Sequence, residues 1–284
     1  MNDRNKLLDR YLTASLLLTA LGTAAQTLAL LLGYDTAKGV YLRGNSLGAV
    51  AGWTLFVFVL ILASPLFLLP KDDAVYPVPP CNHTTAFFSA AGGGIAVCSS
   101  FIMMLDVLHA LAPPKTLTIL SILLFLLSLP TDLYLILSAI LRKAESRLLT
   151  AFSFFPVLWV AACLIRIYFD RTSAINDPRK LLLQVSLAAI MIYFLTEARS
   201  RVGKGGIRFR FAAGMIAMLL GFASSVSMLA LAFRGVSLPR GELLLTITEL
   251  LLTLYILGRL LALVTAPAPL SQGEAAEEPP ADAK

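Results

Sequence analysis

The chain is 284 residues long, and 58% of its residues are hydrophobic while only 14% are charged. Its mean hydropathy of +0.81 excludes a water-soluble globular domain, whose surface needs many more polar side chains. The net charge of +6 does not indicate a nucleic-acid partner, because the basic residues are spread between apolar runs. Composition therefore predicts a protein whose main partner is the lipid bilayer.

Eight apolar runs are long enough to cross a bilayer core, which needs about 20 residues of helix. The connecting segments are short. We therefore expect an all-α, polytopic transmembrane helix bundle of about eight spans that forms one domain over residues 1–265. The runs are 11–33, 47–69, 85–111, 116–141, 149–169, 181–197, 211–233 and 243–265.

The distribution of Lys and Arg predicts the orientation of these spans. With the N-terminus inside, the cytoplasmic segments hold fourteen basic residues and the external loops hold eight. The segment 199–210 contains the densest basic cluster. The sequence thus predicts a protein of the cell membrane with both termini in the cytoplasm.

Residues 266–284 have a different composition from the rest of the chain. They read APAPLSQGEAAEEPPADAK, rich in Pro, Ala and acidic residues and nearly devoid of large apolar side chains. Such a segment buries too little surface to offset the entropy of folding. We expect a disordered cytoplasmic tail.

A faint internal repetition suggests that the bundle consists of two tandem four-helix halves. Ala90-Ala91-Gly92 in the third run resembles Ala212-Ala213-Gly214 in the seventh, and Thr131-Asp132-Leu133 in the fourth resembles Thr248-Glu249-Leu250 in the eighth. An even number of spans per half would make the repeats parallel. Because apolar sequence of low complexity matches itself easily, a bundle without repeats stays the alternative.

Five ionisable side chains fall inside predicted spans, where a charge is costly unless it meets a partner or water. Four of them lie toward the external ends of their spans, and the fifth lies deeper, just after a proline. Two of the four are separated by one helical turn. The pattern predicts a ligand or ion pathway with an external vestibule and a deeper relay position. The external four are Asp106, His109, Arg166 and Glu249, and the deeper one is Asp132.

The same residues also have a simpler structural interpretation. Arg166 and Asp170 are i,i+4 neighbours that would pair on their own helix. Asp106 and His109 lie close enough to a helix end to reach lipid headgroups, and Glu249 would hydrogen-bond a neighbouring helix. At the level of sequence both interpretations stay open.

One short motif suggests an enzyme. Residues 44–48, Gly-Asn-Ser-Leu-Gly, fit G-x-S-x-G, but a nucleophile elbow needs a strand before the serine and a helix after it in a soluble α/β sheet. Here an external loop enters a membrane helix, where Asn45 or Ser46 fits an N-cap. The chain contains no metalloprotease or nucleotide-binding motif. The sequence therefore favours a protein without catalytic activity, metal or cofactor, with a serine hydrolase using Ser46, His109 and Asp106 as the alternative.

Three classes of function follow from these observations. The first is binding or transport of a small solute or ion, supported by the clustered charges and by Pro65 and Pro156, which are expected to bend two helices. The second is a non-catalytic membrane scaffold or sensor subunit, supported by the short loops and by the Gly-rich packing face at 92–94. The third, a membrane enzyme, depends on Ser46 alone. The sequence identifies neither the solute nor a protein partner.

Overall fold

A computed structural model describes residues 3–35, 39–42, 44, 46–69, 78–79, 81–110, 114–141, 147–170 and 177–265. Within these residues, eight helical segments are long and apolar enough to cross a membrane. The predicted all-α bundle is confirmed, and the chain is a multi-pass membrane protein. The predicted tail at 266–284 lies outside the described residues.

The spans correspond to ten helices, because two of the spans are interrupted. The second span consists of α2 and α3, and the fifth consists of α6 and α7. A pair of antiparallel two-residue strands, β1 and β2, forms a hairpin after the first helix. The bounds are α1 Asp3–Gly33, β1 Tyr34–Asp35, β2 Val40–Tyr41, α2 Leu47–Ala63, α3 Pro65–Leu68, α4 His83–Leu108, α5 Lys115–Ile140, α6 Arg147–Phe152, α7 Phe155–Phe169, α8 Pro178–Arg201, α9 Ile207–Phe233 and α10 Arg240–Thr265.

Prolines account for both interruptions. Pro65 begins α3 directly after Ser64, and Pro156 lies in the first turn of α7. Proline has no N–H to donate and its ring collides with the preceding turn, so it is tolerated at the start of a helix and disrupts an interior. Pro130 is different because it lies inside α5, which continues without a break.

Successive spans run in opposite directions, so the bundle has two distinct ends. The starts of α1, α4, α6 and α9 lie at one end, which we call the basic end because it carries Arg201, Arg208 and Arg210. The opposite end carries the β1–β2 hairpin, and we call it the hairpin end. Both the first and the last described residues lie at the basic end.

Six of the spans form a ring in the order α4, α5, α7, α8, α9 and α10, closed by contact between α10 and α4. The first two spans lie outside this ring, with α1 packed on α9 and α2 packed on α1. The contacts therefore do not separate a first four spans from a last four. The predicted tandem halves are not independent packing units, and the repeat relation itself stays a prediction.

Several helices extend beyond the apolar runs that predicted them. α1 begins at Asp3, α8 continues to Arg201 and α9 begins at Ile207. In each case the additional turns contain charged residues, which lower the local hydropathy without breaking the helix. Two of these charged side chains, Arg201 and Arg210, are buried between helices, and side-chain partners replace water for Arg201.

Candidate functional site

A cavity of about 760 Å³ lies at the hairpin end between α4, α5, α7 and α10. Its walls combine apolar side chains with charged ones contributed by three of these helices and by the residue that follows α7. The apolar residues include Met103, Val107, Leu117 and Phe169, and the charged residues are Asp106, Arg166, Asp170 and Glu242. We call this the hairpin-end cavity.

Among the described residues that line this cavity, Arg166 is the single basic one, and it is only 9% exposed. Its Nε donates a hydrogen bond to the Ser121 hydroxyl of α5 at 3.3 Å. Arg166 and Asp170 are joined through the backbone, with the Asp170 N–H donating to the Arg166 carbonyl at 3.0 Å. Among the described residues, Arg166 forms no ion pair. The intrahelical pairing that the spacing allowed is thus replaced by a contact between α7 and α5.

The floor of the cavity is tightly packed. Gly241, the second residue of α10, lies against Met103 with no room for a side chain. Its carbonyl accepts a hydrogen bond from the Ser99 hydroxyl at 3.1 Å. Trp159 is buried and donates its indole N–H to the Ser100 hydroxyl at 3.1 Å. These contacts join α4 to α10 and to α7 next to the cavity.

The structure brings together only two of the five predicted site residues. Asp106 and Arg166 line the same cavity. His109 is exposed at the C-terminal cap of α4, one turn beyond Asp106, and is not part of the lining. Asp132 and Glu249 lie elsewhere in the bundle.

Glu249 lies where α10 faces α8 and α9, and it is 1% exposed. Its Oε2 accepts a hydrogen bond from the Ser224 hydroxyl at 3.1 Å. Its Oε1 and the hydroxyl of Ser186, which is also completely buried, have no hydrogen-bond partner in the part of the chain that the structure describes. The predicted hydrogen bond to a neighbouring helix is therefore present, while half of the carboxyl group remains unsatisfied.

Asp132 occupies the interface between α5 and α4. It is half-buried and lies against Gly93, where an added side chain would collide with it. Its Oδ1 is buried and makes no hydrogen bond to any described residue. Asp132 and Glu249 are thus at two separate helix interfaces, and neither lines the hairpin-end cavity.

A second group of charges, which the sequence did not predict, lies at the basic end. Glu197 of α8 is completely buried. Its Oε1 accepts hydrogen bonds from the hydroxyls of Tyr134 at 2.7 Å and Tyr255 at 2.8 Å. Two guanidinium groups lie next to the same oxygen, that of Arg201 at 3.5 Å and that of Arg259 at 3.6 Å. We call these five residues the Glu197 cluster.

Each tyrosine hydroxyl in the cluster both donates and accepts. Tyr134 accepts from the Nε of Arg201 at 3.0 Å, and Tyr255 accepts from the Nε of Arg259 at 2.9 Å. Arg259 also donates to the carbonyl of Pro79, which precedes α4. The cluster therefore joins α5, α8 and α10 and the segment before α4 at the basic end.

Arg210 adds a further positive charge beside this cluster. It is 3% exposed, and its two terminal nitrogens make no hydrogen bond to a described residue; the same holds for the Oε2 of Glu197. The basic end thus buries three guanidinium groups around one carboxylate. For Arg201 and Arg259, contacts with the carboxylate and the tyrosine hydroxyls offset the cost of burying the charge.

The residues of the Glu197 cluster lie at positions where the sequence pattern does not single them out. Glu197 is the last residue of the predicted sixth run, and Arg259, which lies inside the eighth run, is counted among the fourteen cytoplasmic basic residues. A usable signal was present, because Glu197 and Arg201, like Tyr255 and Arg259, are spaced i,i+4 on one helix face. Glu242 was missed because it lies one residue before the predicted eighth run.

The β1–β2 hairpin is fixed to the start of α8 beside the cavity. The Tyr34 hydroxyl donates to Asp177 at 3.1 Å, and Asp177 also caps α8 and pairs with Arg179 at 2.9 Å. Burial raises the pKa of Tyr34 well above its ordinary value, so the hydroxyl stays protonated and donates. Asp177 and Arg179 line a small pocket of about 60 Å³ that shares Arg166 and Glu242 with the hairpin-end cavity.

Ser46 lies at the N-cap position of α2, as its sequence context predicted, but its side chain makes no capping hydrogen bond. Within the described residues no hydrogen bond joins Ser46 to His109 or Asp106. The serine-hydrolase alternative therefore gains no geometric support.

Comparison of the chain with known proteins gives no match to a family model, to a curated protein or to a solved structure. The functional assignment consequently depends on the geometry of the bundle.

Proposed function

We propose that this protein binds a small solute or ion in the hairpin-end cavity and transports it across the membrane. The observation that carries the proposal is the cavity itself. Its volume of about 760 Å³ is in the range of small-molecule sites, which combine mostly apolar walls with a few polar groups that fix orientation. Charged residues that line a cavity at the end of a membrane bundle are typical of solute and ion pathways.

The opposite end of the bundle supports transport in preference to binding alone. α5 and α10 contribute to the hairpin-end cavity, and at the basic end the same two helices are joined by the Glu197 cluster. A bundle that is open at one end and closed at the other corresponds to one state of an alternating-access cycle. Glu249 and Asp132, with their unsatisfied carboxyl oxygens, are the candidates for deeper positions along the path.

The orientation is part of the same proposal. The excess of Lys and Arg at the basic end favours a cytoplasmic location for that end. Both termini would then be cytoplasmic, and the hairpin-end cavity would face the exterior of the cell membrane.

Labelling of single cysteines with a membrane-impermeant thiol reagent tests this proposal. Cys81, Cys98 and Cys163 are first replaced, and one cysteine is then introduced at Asp106, Leu117 or Glu242. We expect all three to react when the reagent is applied to intact cells, because a thiol ionises and reacts in water. Ile119→Cys is the matched control, since Ile119 lies on the same helix as Leu117 but is 65% exposed on the outer surface of the bundle.

Absence of reaction at all three sites, in protein shown to be folded, would contradict the proposal and favour the scaffold or sensor subunit. Reaction only in inverted vesicles would keep the water-filled cavity and reverse the orientation. Reaction at Ile119→Cys as strong as at Leu117→Cys would show that the reagent does not distinguish the cavity from the lipid-facing surface, and the accessible cavity would lose its support.

A further inference from the structure

The terminal nitrogens of Arg166 are the most informative feature of the hairpin-end cavity. Arg166 is nine-tenths buried and lines the cavity. Its side chain makes one hydrogen bond, from Nε to Ser121. The two terminal nitrogens have no hydrogen-bond partner among the described residues. A guanidinium group held in this way offers a planar pair of donors, which matches the geometry of a carboxylate.

Asp106 and Glu242 do not satisfy these donors, and Asp170, the third acidic residue of the lining, contacts Arg166 through its backbone N–H. Asp106 projects from α4 and Glu242 from α10, whereas Arg166 belongs to α7. All three line the cavity, yet no nitrogen of Arg166 lies within 4 Å of either carboxylate. The Ser121 hydrogen bond holds the guanidinium toward α5, so the cavity presents separate positive and negative groups.

This charge arrangement discriminates between classes of solute. A simple anion would meet the carboxylates of Asp106, Asp170 and Glu242, and a simple cation would meet the Arg166 guanidinium. A zwitterion places a carboxylate against Arg166 and an ammonium group against Glu242 and Asp106, so it complements both signs. The apolar walls at Met103, Val107 and Phe169 then match an uncharged hydrophobic portion.

On this basis, and resting on the proposed function, we propose that the hairpin-end cavity binds a small zwitterion with an apolar body, of the class of the apolar amino acids. Arg166 binds the carboxylate of the solute through its two terminal nitrogens. Glu242 and Asp106 bind the ammonium group. Ser121 is a positioning residue that fixes the guanidinium of Arg166.

Binding of three related compounds to the full chain in lipid nanodiscs tests this assignment. L-phenylalanine carries both charges, N-acetyl-L-phenylalanine only the negative one and L-phenylalaninamide only the positive one. We expect L-phenylalanine to bind at least about tenfold more tightly than either derivative, since a hydrogen bond to a charged group contributes about 1.5–3 kcal/mol, or roughly ten- to a hundredfold in affinity.

Two variants should change the affinities for the two charged derivatives in opposite ways, which misfolding would not do. Arg166→Gln should reduce binding of L-phenylalanine by about tenfold or more and leave L-phenylalaninamide unaffected or better bound. Glu242→Gln should reduce binding of L-phenylalanine and leave N-acetyl-L-phenylalanine unaffected or better bound. Arg199→Gln, which removes an exposed guanidinium at the basic end, is the control and should change none of the three.

The outcomes separate this inference from the proposed function. Tightest binding of L-phenylalaninamide would overturn the zwitterion and make the cavity a cation site, and tightest binding of N-acetyl-L-phenylalanine would make it an anion site. If none of the three compounds binds although the cavity cysteines are labelled, the solute class is wrong and the cavity stands. If the cysteines also fail to react, the proposed function itself fails.

Discussion

Glu197 shows how a single buried carboxylate organises its surroundings. One of its oxygens is shared by two hydroxyls and two guanidinium groups. Burial of so many charges is unfavourable by itself, and mutual pairing offsets most of the lost hydration. Removing Glu197 should therefore lower the stability by more than the sum of its individual contacts, because its loss leaves cations buried without a counter-ion.

Glu197→Ala should lower the free energy of unfolding by about 3–5 kcal/mol, the range for breaking a buried ion pair by removing one partner. The measurement is thermal or denaturant unfolding of the purified protein in detergent. Arg199→Ala, two residues away on the same helix and exposed, should change the stability by well under about 1 kcal/mol. Equal losses for both variants would show that Glu197 has no special structural role.

At the scale of the element, the existence of the helices could be predicted and their ends could not. Apolar runs located all eight spans, because length and hydropathy alone decide whether a helix can cross a bilayer. The ends of α8 and α9 were missed because Arg201 and Arg210 find partners or burial inside the bundle, a tertiary effect that no local window contains. For the same reason sequence could place Asp106 and Arg166 near one end but could not reveal that Glu242 joins them.

The packing of α4 on α5 gives a prediction with a built-in control. Gly93 lies against Asp132, with the Asp132 Cα only 3.1 Å from the position of an added Cβ, whereas the adjacent Gly94 has open space. Gly93→Ala should force the helices apart and lower the stability by about 1–3 kcal/mol.

Gly94→Ala should be neutral or raise the stability by up to about 1 kcal/mol, because alanine favours the helical conformation over glycine. The melting temperatures of the two purified variants test this difference in stability. The interpretation of the α4–α5 contact fails if the two substitutions have the same effect, and a loss confined to Gly94→Ala would contradict it as well.

Considered as a whole, the molecule is asymmetric along its long axis. The hairpin end holds a cavity whose unlike charges remain apart, and the basic end holds a cluster whose unlike charges are in contact. α5 and α10 reach both places. A movement that closes the cavity by tilting these helices would pull the Glu197 cluster apart, so the two ends are expected to be coupled through rigid helices.

Removing two hydroxyls from the cluster tests this coupling. Tyr134→Phe with Tyr255→Phe deletes both hydrogen bonds to Glu197 and keeps the aromatic packing. Each hydrogen bond contributes about 1 kcal/mol. Loss of both should shift the equilibrium between closed and open states of the basic end toward the open state by about tenfold or more. A cysteine at Ser138, buried near the basic end of α5, should then react faster from the basic side, while Leu117→Cys should react more slowly from the hairpin side.

Opposite changes in reaction rate at the two cysteines distinguish a coupled movement of the two ends from a general loss of stability. A bundle that has merely become unstable would expose both positions, and faster reaction at both would therefore contradict the coupled movement. Tyr193→Phe is the control, because Tyr193 is buried on the same helix as Glu197 and its hydroxyl makes no hydrogen bond to another described residue. If that variant produced the same reciprocal change, loss of any buried hydroxyl in this region would be sufficient, and the hydrogen bonds to Glu197 would not be what closes the basic end.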